Sequence, residues 1–131
     1  MPVVLDASAL VELLVQGPVA SAVQTALATQ NVLAPDLMDA EVLGALSGME
    51  RRGEISTTLA THAVQMLRQA PIQRVPNSVL TQDAWSLRSN ISVYDGLYVA
   101  LARRVMCPLV TRDARLARSP SLGVVVVVVS R

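Results

Sequence analysis

Short apolar runs separated by longer amphipathic stretches make up most of this 131-residue chain. The runs do not alternate with polar residues, a pattern typical of parallel strands buried on both faces of a sheet. Strands are predicted at Pro2 to Leu5, Val32 to Ala34, Ile72 to Val75, Pro108 to Thr111 and Val124 to Val129. Helices are predicted at Ala9 to Val15, Val19 to Gln30, Leu37 to Arg52, Thr57 to Gln69, Val79 to Arg88 and Val93 to Met106, with a short turn at Ala114 to Arg118. The pattern indicates one α/β domain over residues 1–131, with a mostly parallel sheet of about five strands.

Two apolar segments lead to more specific expectations. In the helix Val93 to Met106, apolar positions recur at helical spacing and predict one stripe that faces the core. The stripe consists of Tyr94, Leu97, Tyr98, Leu101 and Val105. The valine run Val124 to Val129 is interpreted as a strand buried in the sheet, because an exposed run of this kind would promote aggregation.

The composition limits where the protein acts. Hydrophobic residues make up 52% of the chain, and the mean hydropathy of +0.45 is high for a soluble protein. The longest apolar run, Val124 to Val129, is far shorter than the roughly 20 residues that cross a bilayer. No basic segment precedes an apolar one at the start of the chain, so no signal peptide is predicted. Cys107 is the single cysteine, which excludes an intramolecular disulfide and a cysteine-rich zinc site. We expect a cytoplasmic protein that does not associate with membranes.

The basic side chains are all arginines, 11 in number, and the net charge is +1. A net charge this small gives no independent argument for nucleic-acid binding. The missing lysine excludes the P-loop NTPases, whose Gly-rich motif is also absent. Receiver domains and haloacid-dehalogenase-type phosphatases share an aspartate after the first strand, but both normally use a lysine. The phosphatases would also carry a second aspartate where this chain has Ser8.

Four acidic residues lie where predicted strands end or where helices begin. Asp6 follows the first strand, Asp113 stands two residues past the fourth, and Glu41 and Asp95 lie early in helices. Strand carboxyl ends and helix amino ends share one edge of a parallel sheet, where ligands bind. Four carboxylates there would repel one another unless a cation neutralised them, and oxygen ligands suit Mg²⁺ or Mn²⁺ better than zinc. We therefore expect these four acids to form a divalent-metal site.

Most of these acids also have a structural interpretation. Asp6 is a candidate N-cap of the first helix, although Ser8 is an equally suitable cap that would free Asp6 for metal. Ser92 and Asp95 match the S-x-x-D capping box, and Asp113 is placed to cap the turn that follows it. The joint placement of four acids at one edge, among only 10 in the chain, favours the metal site.

Glu41 competes with two neighbouring acids for a place in that site. Asp36 follows Pro35 and is interpreted as an N-cap. Asp39 lies in the first helical turn, where acids are common, and is interpreted as structural. Glu41 stands among apolar residues with no basic side chain nearby in sequence, which favours it as the ligand.

Polar residues beside these acids are candidates for substrate binding. Ser8 and Thr111 carry hydroxyl groups at the same edge. Arg112 and Arg115 flank Asp113, where they would grip phosphates bidentately. A solvated arginine face explains the two arginines equally well.

Four segments, which together span nearly the whole chain, carry a family resemblance: Val3 to Leu10, Ala34 to Val42, Tyr94 to Ala102 and Leu109 to Asp113. In these segments the chain resembles the PIN-domain nucleases, and among them the VapC-type toxins of prokaryotic toxin–antitoxin modules. The Tyr-Asp helix together with the Thr-x-Asp strand end is rarely met elsewhere. One departure is Gly96, which stands where alanine is common in such helices.

The resemblance implies a three-layer α/β/α PIN-like fold and a Mg²⁺-dependent endoribonuclease with Asp6, Glu41, Asp95 and Asp113 as its acidic quartet. It implies a toxin that inhibits translation and growth, a homodimer, and a VapB-type antitoxin whose C-terminal segment covers the active site. Two alternatives stay open: a PIN-fold nuclease acting on DNA or structured nucleic acid, and a non-catalytic PIN-like interaction module.

The chemistry and the composition fit this interpretation. A Mg²⁺ ion held by Asp6 and Asp95 would activate a water and neutralise phosphoryl oxygens, while Glu41 and Asp113 would orient bound waters or hold a second ion. Charged residues make up only 16% of the chain, whereas about 25% is usual. This predicts apolar surface left over for a homodimer face and for an antitoxin groove near the acidic edge.

Overall fold

The computed structural model describes residues 1–119 and 122–130. The strands are β1 Pro2–Leu5, β2 Asn31–Pro35, β3 Ile72–Val75, β4 Leu109–Thr111 and β5 Val126–Val128. The helices are α1 Ala7–Leu14, α2 Ala20–Leu27, α3 Leu37–Arg51, α4 Thr57–Gln69, α5 Thr81–Ser86, α6 Val93–Val105 and α7 Ala114–Arg118. A 3₁₀ turn at Asn77–Val79 precedes α5, so the single helix predicted over Val79 to Arg88 is a 3₁₀ turn and a shorter α-helix.

The five strands form one sheet in which all neighbours are parallel, in the order β3-β2-β1-β4-β5. The chain runs from β1 to β3 in one direction and then crosses back to β4 and β5 on the other side. Because crossovers between parallel strands are right-handed, the reversal places α1 to α4 on one face and α5 to α7 on the other. The predicted three-layer α/β/α fold is confirmed.

The core lies on both sides of the central strands. Val4 and Leu5 of β1 and Leu109 and Val110 of β4 are almost completely buried, as a sheet covered on both faces requires. Helix α6 packs on β1, β2 and β4 and contributes the continuously buried run Tyr98–Ala102. Within the residues that the structure describes, no helix is long and apolar enough to cross a membrane.

The valine run and the α6 stripe differ from the sequence-based expectations. The strand β5 is an edge strand, so Val125 and Val127 are exposed, and the expectation of a buried strand is wrong. The strand order explains this, because β5 pairs with β4 on one side and, among the described residues, with no strand on the other. In α6, Tyr98 and Leu101 are buried as predicted, but Tyr94 is 59% exposed because it lies in the first turn of the helix.

Gly96 allows a close approach between α5 and α6. A Cβ atom added at Gly96 would lie 3.1 Å from the carbonyl oxygen of Ala84 and 3.3 Å from its Cα atom. These are backbone atoms, so they can move only if α5 moves. The glycine that departs from the family pattern is therefore explained by helix packing on the side of the sheet that carries Asp95.

Candidate active site

The site lies at the point where the strand order reverses. The chain leaves β1 toward β2 and later returns to β4, which pairs with the opposite side of β1. In open parallel sheets, ligands bind in the crevice beyond the strand carboxyl ends at such a switch point. Asp6 directly follows β1, and Asp113 stands two residues past the end of β4. The structure thus places both acids on the two strands that flank this crevice.

Asp6 is buried, and one of its two oxygens is fully engaged. Its Oδ2 accepts hydrogen bonds from Thr111 Oγ1 at 2.7 Å and from Ser8 Oγ at 2.8 Å. Asp6 occupies the N-cap position of α1, but its side chain makes no capping bond. Ser8 is not the cap either, since its oxygen accepts from the Arg112 N–H at 3.1 Å. Within the described part of the chain, Oδ1 of Asp6 accepts no hydrogen bond and is available for a ligand.

Thr111 connects Asp6 to the turn that carries Asp113. Its hydroxyl is completely buried, donates to Asp6 and accepts from the Asp113 N–H at 3.0 Å. The Thr111 hydroxyl therefore lies at the acidic edge, between Asp6 and Asp113. Its present contacts make it a support for the two aspartates rather than a free substrate-binding group.

Glu41 is held by a residue from the opposite helical layer. The Tyr98 hydroxyl donates to Glu41 Oε1 at 2.6 Å. Burial raises the pKa of Glu41, the Tyr98 bond partly opposes this, and the negative charges of Asp6 and Asp95 raise the pKa further. The sequence pattern predicts only a core position for Tyr98. The spacing could have indicated a site role for Tyr98, because it lies three residues after Asp95 and so shares its side of α6.

Asp95 lies in the first turn of α6. The Ser92 hydroxyl accepts from the Asp95 N–H at 3.0 Å, so the serine half of the predicted capping box is formed. The pKa of Asp95 is raised, first by burial and then by the charge of Asp6, with a smaller contribution from Asp113. Asp95 is thus part of a helix cap, and its surroundings still disfavour the charged form of its carboxylate.

Asp113 is the most firmly paired of the four acids. It caps α7, since its Oδ1 accepts from the Arg115 N–H at 2.9 Å. The Arg115 guanidinium also donates to both carboxylate oxygens at 3.2 Å, and this pairing lowers the pKa of Asp113. The structural interpretation of Asp113 is therefore correct, and any role in metal binding would compete with Arg115.

The arginines and the neighbouring acids are also paired. Arg112 forms an ion pair with Glu12, a buried acid that the sequence-based prediction did not include. The sequence does contain a feature that points to Glu12, since it is the one charged residue in the mostly apolar segment that forms α1. Asp39 pairs with Arg74 at 2.9 Å, which confirms its structural role. Asp36 occupies the N-cap position of α3 as predicted, although its side chain makes no capping bond.

The residues of this edge fit a hard divalent cation by their chemistry. Among residues 1–119 and 122–130, no three Asp, Glu, His or Cys side chains form a group that could hold a metal ion. Two of the four acids have protein partners: Glu41 is bonded to Tyr98, and Asp113 is bonded to Arg115. The available donors are nevertheless all oxygens, and the pKa values of Glu41 and Asp95 are raised, first by burial and then by neighbouring negative charges. Mg²⁺ and Mn²⁺ match such a donor set.

The fold and this acidic edge define an open parallel α/β domain with carboxylates at its switch point, and the comparisons identify its family. Residues 3–121 match the PIN domain, and the chain belongs to the PIN-domain family. It is 43% identical over 118 residues to Ribonuclease VapC3 of Mycobacterium tuberculosis, covering 89% of this chain and 86% of that protein. It is also 43% identical over 117 residues to Ribonuclease VapC12 of the same organism, covering 89% of this chain and 91% of that protein.

Solved structures with lower sequence identity share the fold. The chain superimposes on a crystal structure of VapBC2 from Rickettsia felis bound to a DNA fragment from their promoter, with a TM-score of 0.71. That match covers 99% of this chain and 100% of the other at 16% identity. FitAcB from Neisseria gonorrhoeae gives a TM-score of 0.64 at 18% identity, covering 95% of this chain and 96% of that one.

Proposed function

We propose that this chain is a Mg²⁺-dependent endoribonuclease and the toxin of a VapBC-type toxin–antitoxin system, acting in the cytoplasm to inhibit translation. One observation carries the proposal. At the switch-point edge, Asp6 has one oxygen held by Thr111 and Ser8, and its charge raises the pKa values of both Glu41 and Asp95. This arrangement occurs in a chain that is 43% identical to two VapC ribonucleases.

In this proposal, Asp6 and Asp95 are the principal metal ligands. Thr111 and Ser8 hold Oδ2 of Asp6, which leaves Oδ1 to bind the ion. When bound, a divalent ion would supply an activated water and neutralise charge on the phosphoryl oxygens. The chain's own residues fix the carboxylates that receive it, and an ion would favour the charged forms of Glu41 and Asp95, which burial and neighbouring charges now disfavour.

Glu41 and Asp113 have secondary roles in the same proposal. Tyr98 keeps one oxygen of Glu41 bonded, so Glu41 presents the other to a water or to an ion. Asp113 forms an ion pair with Arg115, so it would contribute to metal binding only by exchanging Arg115 for the ion. Arg115 is largely exposed and, once released, would bind a substrate phosphate in the fork geometry that suits arginine.

Purified, partner-free protein tests the activity. We expect cleavage of a single-stranded RNA oligonucleotide in Mg²⁺ or Mn²⁺, and none in EDTA. A DNA oligonucleotide of the same sequence tests the alternative substrate, and Asp6→Asn tests whether this edge is the site. Cleavage that continues in EDTA contradicts the metal mechanism, and full activity of Asp6→Asn contradicts the location of the site.

The proposal includes a homodimer and a VapB-type antitoxin. Exposed apolar side chains support it. Leu43 and Val64 lie beside a groove between α3 and α4, and Trp85 on α5 and Tyr94 at the start of α6 are each exposed. Exposed apolar patches of this kind mark protein contacts. Sedimentation of the chain alone and with a VapB-type antitoxin measures both associations, and a monomer that binds no antitoxin contradicts this part.

A further inference from the structure

Glu12 is a buried acid whose role the proposed function does not explain. It lies in the second turn of α1 and is only 6% exposed. Its ionic partner is the Arg112 guanidinium, and its carboxylate also lies 3.4 Å from the Val19 N–H. A buried carboxylate with one charged partner is costly to maintain unless the pair is well placed. The role of Glu12 therefore depends on where Arg112 lies.

Arg112 lies between two residues of the acidic edge, Thr111 and Asp113. Three consecutive residues of this turn bond to the Asp6 network: Thr111 donates to Asp6, Arg112 donates its N–H to Ser8, and Asp113 donates its N–H to Thr111. Ser8 in turn donates to Asp6. The Arg112 side chain points back along α1 to Glu12. The pair thus fastens the turn after β4 to the same helix that begins at Asp6.

Gly17 leaves the space that the Glu12 carboxylate occupies. All three atoms nearest to a Cβ built at Gly17 belong to that carboxylate, and they would overlap it. The turn between α1 and α2 is therefore shaped around the acid. The contact that the turn itself makes with the carboxylate is a long one, from the Val19 N–H at 3.4 Å. The main partner of Glu12 is therefore Arg112.

We propose that Glu12 is a positioning residue, which acts through Arg112 to hold the Thr111–Asp113 turn against α1 and so keeps Oδ1 of Asp6 directed at the metal position. The inference rests on the proposed function, because it assumes that Asp6 binds a divalent ion. It assigns Glu12 no contact with the ion or with RNA. Loss of the pair frees the turn and disorders the hydrogen bonds that hold Oδ2 of Asp6.

The direct test is Mn²⁺ binding to RNA-free protein, followed by electron paramagnetic resonance of the unbound ion. Glu12→Gln removes the charge and keeps the side-chain size. We expect its Kd for Mn²⁺ to rise roughly tenfold, the lower end of the effect of partners that orient metal ligands. Arg112→Gln should give a similar loss. The double variant should bind no more weakly than either single variant, because both changes break one interaction.

Asp39→Asn is the matched control. It breaks the ion pair with Arg74, which ties α3 to β3 and contacts none of the Asp6 network. We expect it to lower the melting temperature and leave the Kd for Mn²⁺ unchanged. If either single variant is not recovered folded, the double variant replaces it, because it leaves neither the buried Glu12 carboxylate nor the exposed Arg112 guanidinium without its partner.

The outcomes separate this inference from the proposed function. Wild-type protein that binds no Mn²⁺ contradicts the proposed function and the inference with it. Wild-type binding with an equal Kd in folded Glu12→Gln, or in the double variant, overturns the inference alone. So does a change in affinity for an RNA oligonucleotide in EDTA without a change in Mn²⁺ affinity, since that result assigns the pair to phosphate binding.

Discussion

The Tyr98 hydroxyl and the Glu41 carboxylate are joined by a 2.6 Å hydrogen bond between residues 57 positions apart. The bond links α3 on one face of the sheet to α6 on the other, at the edge where Asp6 and Asp95 also lie. Of the contacts around Glu41, it is the one that lowers the pKa of this acid. Tyr98 itself is a permanent donor, because burial and the neighbouring Glu41 raise its pKa well above the ordinary value.

Tyr98→Phe should therefore raise the pKa of Glu41 further. We expect the rise of RNA cleavage with pH to occur at a higher pH than in the wild type. Glu41 is half-buried and regains water, so the stability loss should be only about 1 kcal/mol. The measurements are a pH–rate profile and chemical denaturation. The control is Tyr94→Phe, which removes the same atom from an exposed ring. Superimposable pH profiles of Tyr98→Phe and wild type would refute the assignment.

Two substitutions at Asp6 should separate charge from hydrogen bonding. Asp6→Asn keeps an oxygen that accepts from Thr111 and Ser8, and it removes a charge that raises the pKa values of Glu41 and Asp95. We expect an inactive protein that is at least as stable as metal-free wild type. Asp6→Ala leaves the buried Thr111 hydroxyl without its acceptor and should be about 1–3 kcal/mol less stable than Asp6→Asn. Equal melting temperatures for the two variants would contradict this explanation.

The stability of the metal-free protein should decrease as the pH rises above the ordinary carboxyl range. In the folded chain the pKa values of Glu41 and Asp95 are both raised above the ordinary values of 4.5 and 3.8. A carboxyl with a raised folded pKa binds its proton more tightly when folded. It therefore favours folding below the unfolded value, and this contribution is lost as the pH rises through the folded pKa. Asp113 acts oppositely and only at lower pH, because its pKa is lowered.

Melting curves in EDTA across this range measure the effect. Asp95→Asn should flatten the decrease in melting temperature, and the difference from wild type isolates the contribution of Asp95. Added Mn²⁺ should raise the wild-type melting temperature at neutral pH by mass action, and should raise that of Asp95→Asn less. A decrease of the same slope in both proteins would show that Asp95 is not destabilised by its surroundings.

Arg115 and Arg118 lie on the same short helix and form a matched pair for testing phosphate binding. Arg115 contacts Asp113, whereas the structure gives Arg118 no ion pair within the described residues. Arg115→Ala should return the pKa of Asp113 toward its ordinary value. It should also reduce the slope of log RNA affinity against log salt concentration by about one, the effect of losing one phosphate contact. Arg118→Ala should change neither. Affinity measured at several salt concentrations decides this, and identical slopes for the two variants would assign Arg115 to Asp113 alone.

The sequence predicts the parts of this molecule that depend on local pattern. The bounds of β1, β3 and α4 agree with the prediction because residues that end helices and strands, together with apolar periodicity, mark them. The placement of Asp6 and Asp113 follows from the rule that parallel strands share a carboxyl edge. The pairing of Glu12 with Arg112 does not follow, because it joins residues 100 positions apart. The exposure of β5 was missed for a similar reason, since hydrophobicity does not reveal how many neighbours a strand has.

Two glycines in helices should respond in opposite ways to alanine. Gly44 lies in α3 with no atom within 4 Å of an added Cβ, so Gly44→Ala should stabilise the protein by about 0.5–1 kcal/mol through backbone entropy. Gly96→Ala gains the same entropy, but its methyl group would press on the Ala84 backbone at 3.1 and 3.3 Å. Overpacking of this kind typically costs about 1–3 kcal/mol. We therefore expect Gly96→Ala to be destabilising in chemical denaturation. If it stabilises the protein as much as Gly44→Ala does, α5 yields freely and Gly96 is not required by packing.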